Sequence, residues 1–341
     1  MSKNLKRFLC LVLAFVMVLP VLAGCSKKEE TPSNTEKPVS TEPAEEAKVL
    51  KILTLGHSLA VDTGHMLALV ADAEGFDNLL VGTLYYSGCP LNKHVKYLTD
   101  DEPAYNLYLS STETPTAVPT ITDAVTMKYA LTYEYWDIII MQGGVFEVAK
   151  SETYTNGDIQ TIQKYVDEHK LNPLARLAWH MPWVFPVDRD LQLTKDNDSY
   201  HQNYEAYDHD RSKLYGAMTK CVGDHIMTDE TFDFLIPSGT AIENALSSYL
   251  EEKDLHRDYA HASDLGMVIG SYVWYCKLAG VEKLEEIKLD VVPKQFFKSE
   301  PKLQDWVLTD MEKAIILESV NNALANPLQM TQSQYTQAPV Q

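Results

Sequence analysis

Cationic side chains are scarce in this sequence. Lysine and arginine number 29 against 48 aspartates and glutamates, a formal net charge of -19. Such a surface repels phosphate backbones and anionic headgroups, so nucleic acid is excluded as a partner. Cysteine is scarcer still, at five residues. No Cys-x-x-Cys and no zinc-type spacing occurs, and His57, His65 and His261 match no ligand set, so no metal site is expected. Cys10 lies in the N-terminal leader and Cys25 directly after it. Cys89, Cys221 and Cys276 remain, an odd number that cannot all pair, and buried free thiols are expected. No internal repeat is present. The one long apolar run, Phe8 to Val21, is too short to span a membrane comfortably.

That run follows the basic residues Lys3, Lys6 and Arg7 and ends in Leu22-Ala23-Gly24-Cys25. The pattern reads as a signal peptide over 1–24. Its end resembles the lipobox of bacterial lipoproteins, which implies cleavage before Cys25 and a lipid such as palmitate on its thiol. The expected location is the extracytoplasmic face of the cell membrane, held there by the lipid only. Residues 25–47 are rich in Lys, Glu, Thr, Ser and Pro and read as a flexible tether. Residues 48–326 form the expected folded domain, and the Gln- and Thr-rich 327–341 a disordered tail. With 45% hydrophobic and 23% charged residues, the composition is that of a globular protein.

Within the domain, apolar runs alternate with helical patterns. Strands are expected at Val49 to Leu55, Asn78 to Tyr86, Trp136 to Met141, Ala175 to Trp183 and Phe232 to Pro237. Helices are expected at Gly64 to Glu74, Ile159 to His169, Tyr200 to His225, Gly239 to Leu250 and Ser263 to Leu278. Leu91 to Tyr135 reads as a long irregular rim or lid, with Pro103, Pro115 and Pro119. This alternation predicts an α/β fold: a single-domain, doubly wound parallel sheet of about five strands in a flavodoxin-like three-layer α/β/α arrangement.

In such a sheet the loops after the strands converge on one edge. Those loops hold Gly56-His57-Ser58, Ser87-Gly88-Cys89 and Gln142-Gly143-Gly144. Asp258-Tyr259-Ala260-His261 follows the fifth strand and its helix. A serine, a histidine and an aspartate three residues before that histidine are the parts of a nucleophile, its base and the group orienting the base. Asp254 and His256 form a rival pair. Asp258 and His261 are preferred because His261 opens an apolar helical pattern.

These four blocks, spanning most of residues 49–278, resemble the SGNH hydrolase superfamily, also called GDSL-like esterases. The wording around them looks like a poorly characterised branch found in bacterial lipoproteins. The resemblance implies Ser58 as nucleophile, His261 as base and Asp258 as its partner. It implies an oxyanion hole from the Ser58 and Gly88 N–H groups and the Gln142 side chain. No cofactor is implied. Two departures stand out. His57 precedes the serine where Asp or Asn is usual, and Gln142-Gly143-Gly144 replaces Gly-x-Asn, looking instead like the Gln-Gly-Glu of sialate and xylan acetylesterase relatives.

The expected activity is a serine esterase that removes O-acetyl or other short acyl groups from carbohydrate through an acyl-enzyme. Other small esters are possible substrates. His57, His180 and Trp183 are expected substrate contacts, with strand-end packing the simpler role for His180. A second reading stays open: a non-catalytic glycan-binding lipoprotein on the same fold, using Trp179 or Trp183 to stack on sugars. A solute-binding lipoprotein would instead need two lobes. The oligomeric state is not encoded legibly.

Overall fold

The computed structural model describes residues 49–187, 205–296 and 304–338. The expected signal peptide, the tether, Cys25 and the start of the helix expected from Tyr200 lie outside the described residues.

The chain opens with strand β1 (Leu50–Gly56) and two short helices, α1 (Ser58–His65) and α2 (Leu67–Ala73). Strand β2 (Leu79–Tyr85) and helix α3 (Leu91–Thr99) follow. A hairpin of β3 (Tyr105–Ser111) and β4 (Thr120–Val125) leads to α4 (Met127–Tyr133) and β5 (Ile138–Gln142). Next come α5 (Ser151–Thr155), α6 (Asp158–His169) and β6 (Arg176–His180), then α7 (Arg211–Cys221), β7 (Phe234–Ile236) and α8 (Ser238–Leu246). The chain finishes with α9 (Glu252–Leu255), α10 (Asp264–Ala279), a small ribbon of β8 (Val291–Val292) and β9 (Trp306–Val307), and α11 (Asp310–Ala325).

The main sheet runs β4-β3-β2-β1-β5-β6-β7. The five strands from β2 to β7 are parallel, with β1 bonded to both β2 and β5. One helix group (α1, α2, α8, α10, α11) packs together, and a second (α3, α4, α6) packs separately. The doubly wound α/β expectation therefore holds. Strands β1 and β5 read as near-continuous apolar runs, Leu-Lys-Ile-Leu-Thr-Leu-Gly and Ile-Ile-Ile-Met-Gln, because both sheet faces are covered.

The strand count is seven rather than about five. The two extra strands lie in the stretch expected to be irregular. Tyr105, Leu107 and Leu109 alternate with polar or half-buried residues, and this period of two pairs β3 antiparallel to β2. Pro115 and Pro119 sit in the hairpin connection, outside the ladder, so they do not break it.

Three other elements differ from expectation. The helix expected at Gly64 to Glu74 is the shorter α2, and a separate helix α1, capped by His57, precedes it from Ser58. Helix α11 was not anticipated, although Thr309 and Glu312 form a capping box ahead of its buried Ile315, Ile316 and Val320. Part of the expected tail is tied down. The Thr331 N–H donates to Asn244 Oδ1 at 2.7 Å, and the Tyr249 N–H to Tyr335 O at 2.9 Å. Cys89, Cys221 and Cys276 are all buried free thiols.

Candidate active site

The chain winds from β1 to β2 on one side, then crosses back to β5 on the other. The crevice of such a sheet opens where that order reverses, outside the carboxyl ends of the strands. Gly56 ends β1 there and Gln142 ends β5. His57 bridges the two. Its Nε2 donates to Gly143 O at 2.8 Å, and its Nδ1 accepts the Leu59 N–H at 3.3 Å, which caps α1. These two bonds fix the tautomer and place Ser58 as the first residue of α1. Burial lowers the His57 pKa to about 4, outweighing the opposite pull of its hydrogen bond to Gly143 O, so the ring is neutral.

Ser58 and Gly88 are half-exposed. Gly88 has φ +57, the left-handed region, in the turn between β2 and α3. Neither residue's N–H has an intramolecular acceptor among the described residues.

The Asp258–His261 turn forms as the spacing predicts. His261 Nδ1 donates to both Asp258 oxygens, at 2.9 and 3.0 Å. The Ala260 and His261 N–H groups donate to Asp258 Oδ1 at 2.9 Å each. Burial pushes the Asp258 carboxyl up, but the hydrogen bonds from His261 and these two amides outweigh it, and the pKa settles at about 2. The carboxylate thus holds one imidazole nitrogen. The His261 side chain remains 23% exposed, and it is Nδ1 that the carboxylate holds.

The rival pair does not form. Asp254 accepts the Glu251 N–H in a capping box, and His256 is buried with Nδ1 against Glu252 O.

Gln142 lies where the third block requires, at the end of β5. Its Oε1 accepts from His180 Nδ1 at 2.9 Å. Its Nε2 is buried and has no partner. A Cβ on Gly56 would fall 2.5 Å from that nitrogen, so the strand-end glycine is what lets the amide lie close behind the Ser58 turn.

The three residues expected to touch substrate are buried instead. His57, His180 and Trp183 are at most 1% exposed. His180 faces Gln142 and sits edge-on to Trp274, and burial keeps it neutral, well below 6.5. Trp183 Nε1 donates to Ala260 O at 2.8 Å, so this indole braces the histidine turn. Trp179, the other candidate sugar platform, is equally buried, against Tyr154 and Phe232.

Sequence reasoning missed two residues. Asp62 on α1 is 1% exposed and grips the Arg257 guanidinium with both oxygens, at 2.9 and 3.0 Å. The Ala262 N–H donates to the same carboxylate at 3.1 Å. The available signals were an aspartate one helical turn after Ser58 and an arginine directly before Asp258.

A family model described as "Domain of unknown function (DUF4886)" matches residues 51–295. No curated protein matches the chain. Among solved structures, a DUF4886 family protein from Bacteroides uniformis ATCC 8492 aligns with a TM-score of 0.69 at 21% identity. That alignment covers 85% of this chain and 100% of that one, and shows a shared fold. Two looser likenesses are a candidate SGNH hydrolase from Slackia heliotrinireducens and a gut microbial diltiazem-metabolizing enzyme. The first has a TM-score of 0.39 and 16% identity, over 67% of this chain and 97% of that one. The second has 0.37 and 12%, over 68% and 47%.

Proposed function

This chain belongs to the DUF4886 family, and we propose that it is a serine hydrolase acting by acyl transfer. One observation carries the reading. A carboxylate-held histidine, His261 on Asp258, is anchored to the very helix that begins with a half-exposed serine. Ser58 Oγ attacks an ester carbonyl carbon while His261 Nε2 takes its proton. Asp258 stabilises the resulting imidazolium. The Ser58 and Gly88 N–H groups hold the oxyanion, with Gln142 Nε2, oriented by His180, as a third donor. His261 returns the proton to the leaving alcohol. Water then attacks the acyl-Ser58 ester through the same base and releases the acid.

The substrate class we favour is short O-acyl groups, chiefly acetyl, on carbohydrate. Support comes from the resemblance of the four blocks and from the lipobox-like leader. The same leader supports a lipid on Cys25 and an extracytoplasmic location. The glycan-binding alternative is weaker, because Trp179 and Trp183 offer no exposed ring face.

Hydrolysis of 4-nitrophenyl acetate, together with fluorophosphonate labelling, tests the reading. The Ser58→Ala variant should take up no label and fall to the uncatalysed rate. Equal rates in Ser58→Ala and the parent would refute it.

A further inference from the structure

We propose that Asp62 and Arg257 are positioning residues that set the distance between Ser58 and His261. The inference rests on the hydrolase reading above. Asp62 lies four residues after Ser58 on α1, so both project from one side of the helix. Its contacts bracket the acid–base pair: Arg257 directly precedes Asp258, and Ala262 directly follows His261. Arg257 also closes the turn on itself. Its backbone N–H donates to His261 O at 3.0 Å, and its Nη1 to Ala262 O.

The turn is therefore a closed loop with a carboxylate strap to the nucleophile's helix. A buried ion pair is poor value for stability alone, since apolar side chains of similar volume often serve as well. What a two-toothed guanidinium–carboxylate contact supplies is a fixed distance and angle. Acyl transfer needs that: reacting atoms must approach to about 3–3.5 Å, and a slip of about 1 Å costs on the order of 100-fold.

The experiment uses the full chain with 4-nitrophenyl acetate, and counts competent sites by fluorophosphonate titration. Arg257→Lys keeps the charge opposite Asp62 but removes the fork, so it retains the fold. The double variant Asp62→Asn/Arg257→Gln removes both charges together and leaves neither buried alone. Turnover per titrated site should fall about tenfold in Arg257→Lys and about 100-fold in the double variant. A purely structural role would lower the number of titrated sites and leave turnover per site unchanged. Parental turnover per site in Arg257→Lys, or in both variants, overturns the proposal. Ser58→Ala, run alongside, separates the two failures. If it retains the parental rate, the hydrolase reading falls; if it is inactive while Arg257→Lys is unimpaired, only the strap does.

Discussion

Acid should destabilise this protein through four sealed histidines. His57, His94, His180 and His256 are at most 2% exposed. Burial holds His57 at about 4, His94 and His256 at about 3, and His180 well below the ordinary 6.5. In the unfolded chain all four titrate near 6.5. Below that pH the unfolded state takes up protons that the folded state refuses. Stability is thus fully present above 6.5 and is lost as the pH falls toward 4 and 3. For His57 the whole gap corresponds to roughly 3 kcal/mol, of which about 2 kcal/mol is lost by pH 5. His57, His94 and His256 together amount to roughly 6 kcal/mol at pH 5, with His180 acting in the same direction, against a typical domain stability of about 5–15 kcal/mol. Glu147 and Glu243 act in the opposite sense. Burial raises both carboxyls, so the fold gains from their protonation on the acid side. Asp258 adds a further loss only below 3.8. Urea midpoints read by tryptophan fluorescence at pH 8, 7, 6 and 5 provide the assay. The midpoint should change little from pH 8 to 7 and fall steeply from 6 to 5. A midpoint that is flat or rising between pH 7 and 5 would refute the reasoning.

Three substitutions probe the site directly. Gln142→Leu removes both the unpartnered Nε2 and the acceptor of the buried His180 Nδ1–H, so melting should show a loss of about 1–3 kcal/mol, while loss of an oxyanion donor should lower kcat about 100- to 1,000-fold; an unchanged kcat removes Gln142 from the oxyanion hole. Gly88→Ala places a Cβ in open space but at φ +57. Calorimetry should therefore show a cost of about 1–2 kcal/mol from the backbone alone, with a fall in kcat as the Gly88 N–H shifts. Trp183→Phe leaves the Ala260 carbonyl unpaired inside the protein, a loss of about 1–3 kcal/mol; hydrogen exchange should quicken at Ala260 and His261, and unaltered exchange would deny the indole its bracing role.

The parallel core of the fold was legible because its strands are buried on both faces and so stand out as apolar runs. The β3–β4 hairpin was not. It is an edge, its outer strand is mostly exposed, and Thr, Ser and Tyr there satisfy pairing without signalling a core. Helix α11 carried a legible capping box, yet its partners are α8 and α10, far back in the chain. The positions of the four blocks were legible in part: three directly follow a strand, while the Asp258–His261 turn comes after β7 and two helices. Side-chain direction was not. A tryptophan or histidine at a strand end serves equally well as a substrate contact or as a brace, and only burial decides. Trp183 and His180 are braces by that criterion. Asp62 shows the same limit, because its partners lie 195 and 200 residues away.

His57, the residue before Ser58, gives the clearest case of a departure from the resembled pattern with a physical reason. An Asp or Asn there would cap α1 through a side-chain oxygen. His57 caps it through Nδ1 instead, and its longer ring reaches across to Gly143 O as well. Such a cap works only if the imidazole is neutral, because a protonated Nδ1 cannot accept the Leu59 N–H. Burial supplies that neutrality, and the neighbours are consistent with it. His94 and His180 are held neutral by the same burial, so no cation faces His57 from either of them near neutral pH. Gln142, bonded to His180, adds an uncharged amide to the same layer. Within this set of residues, the substituted first block and the substituted third block form one arrangement. His57 ties the end of β1 to the loop after β5, and the Gly56 backbone leaves room for the Gln142 side chain beneath it. Each departure from the common pattern therefore makes physical sense in the presence of the other.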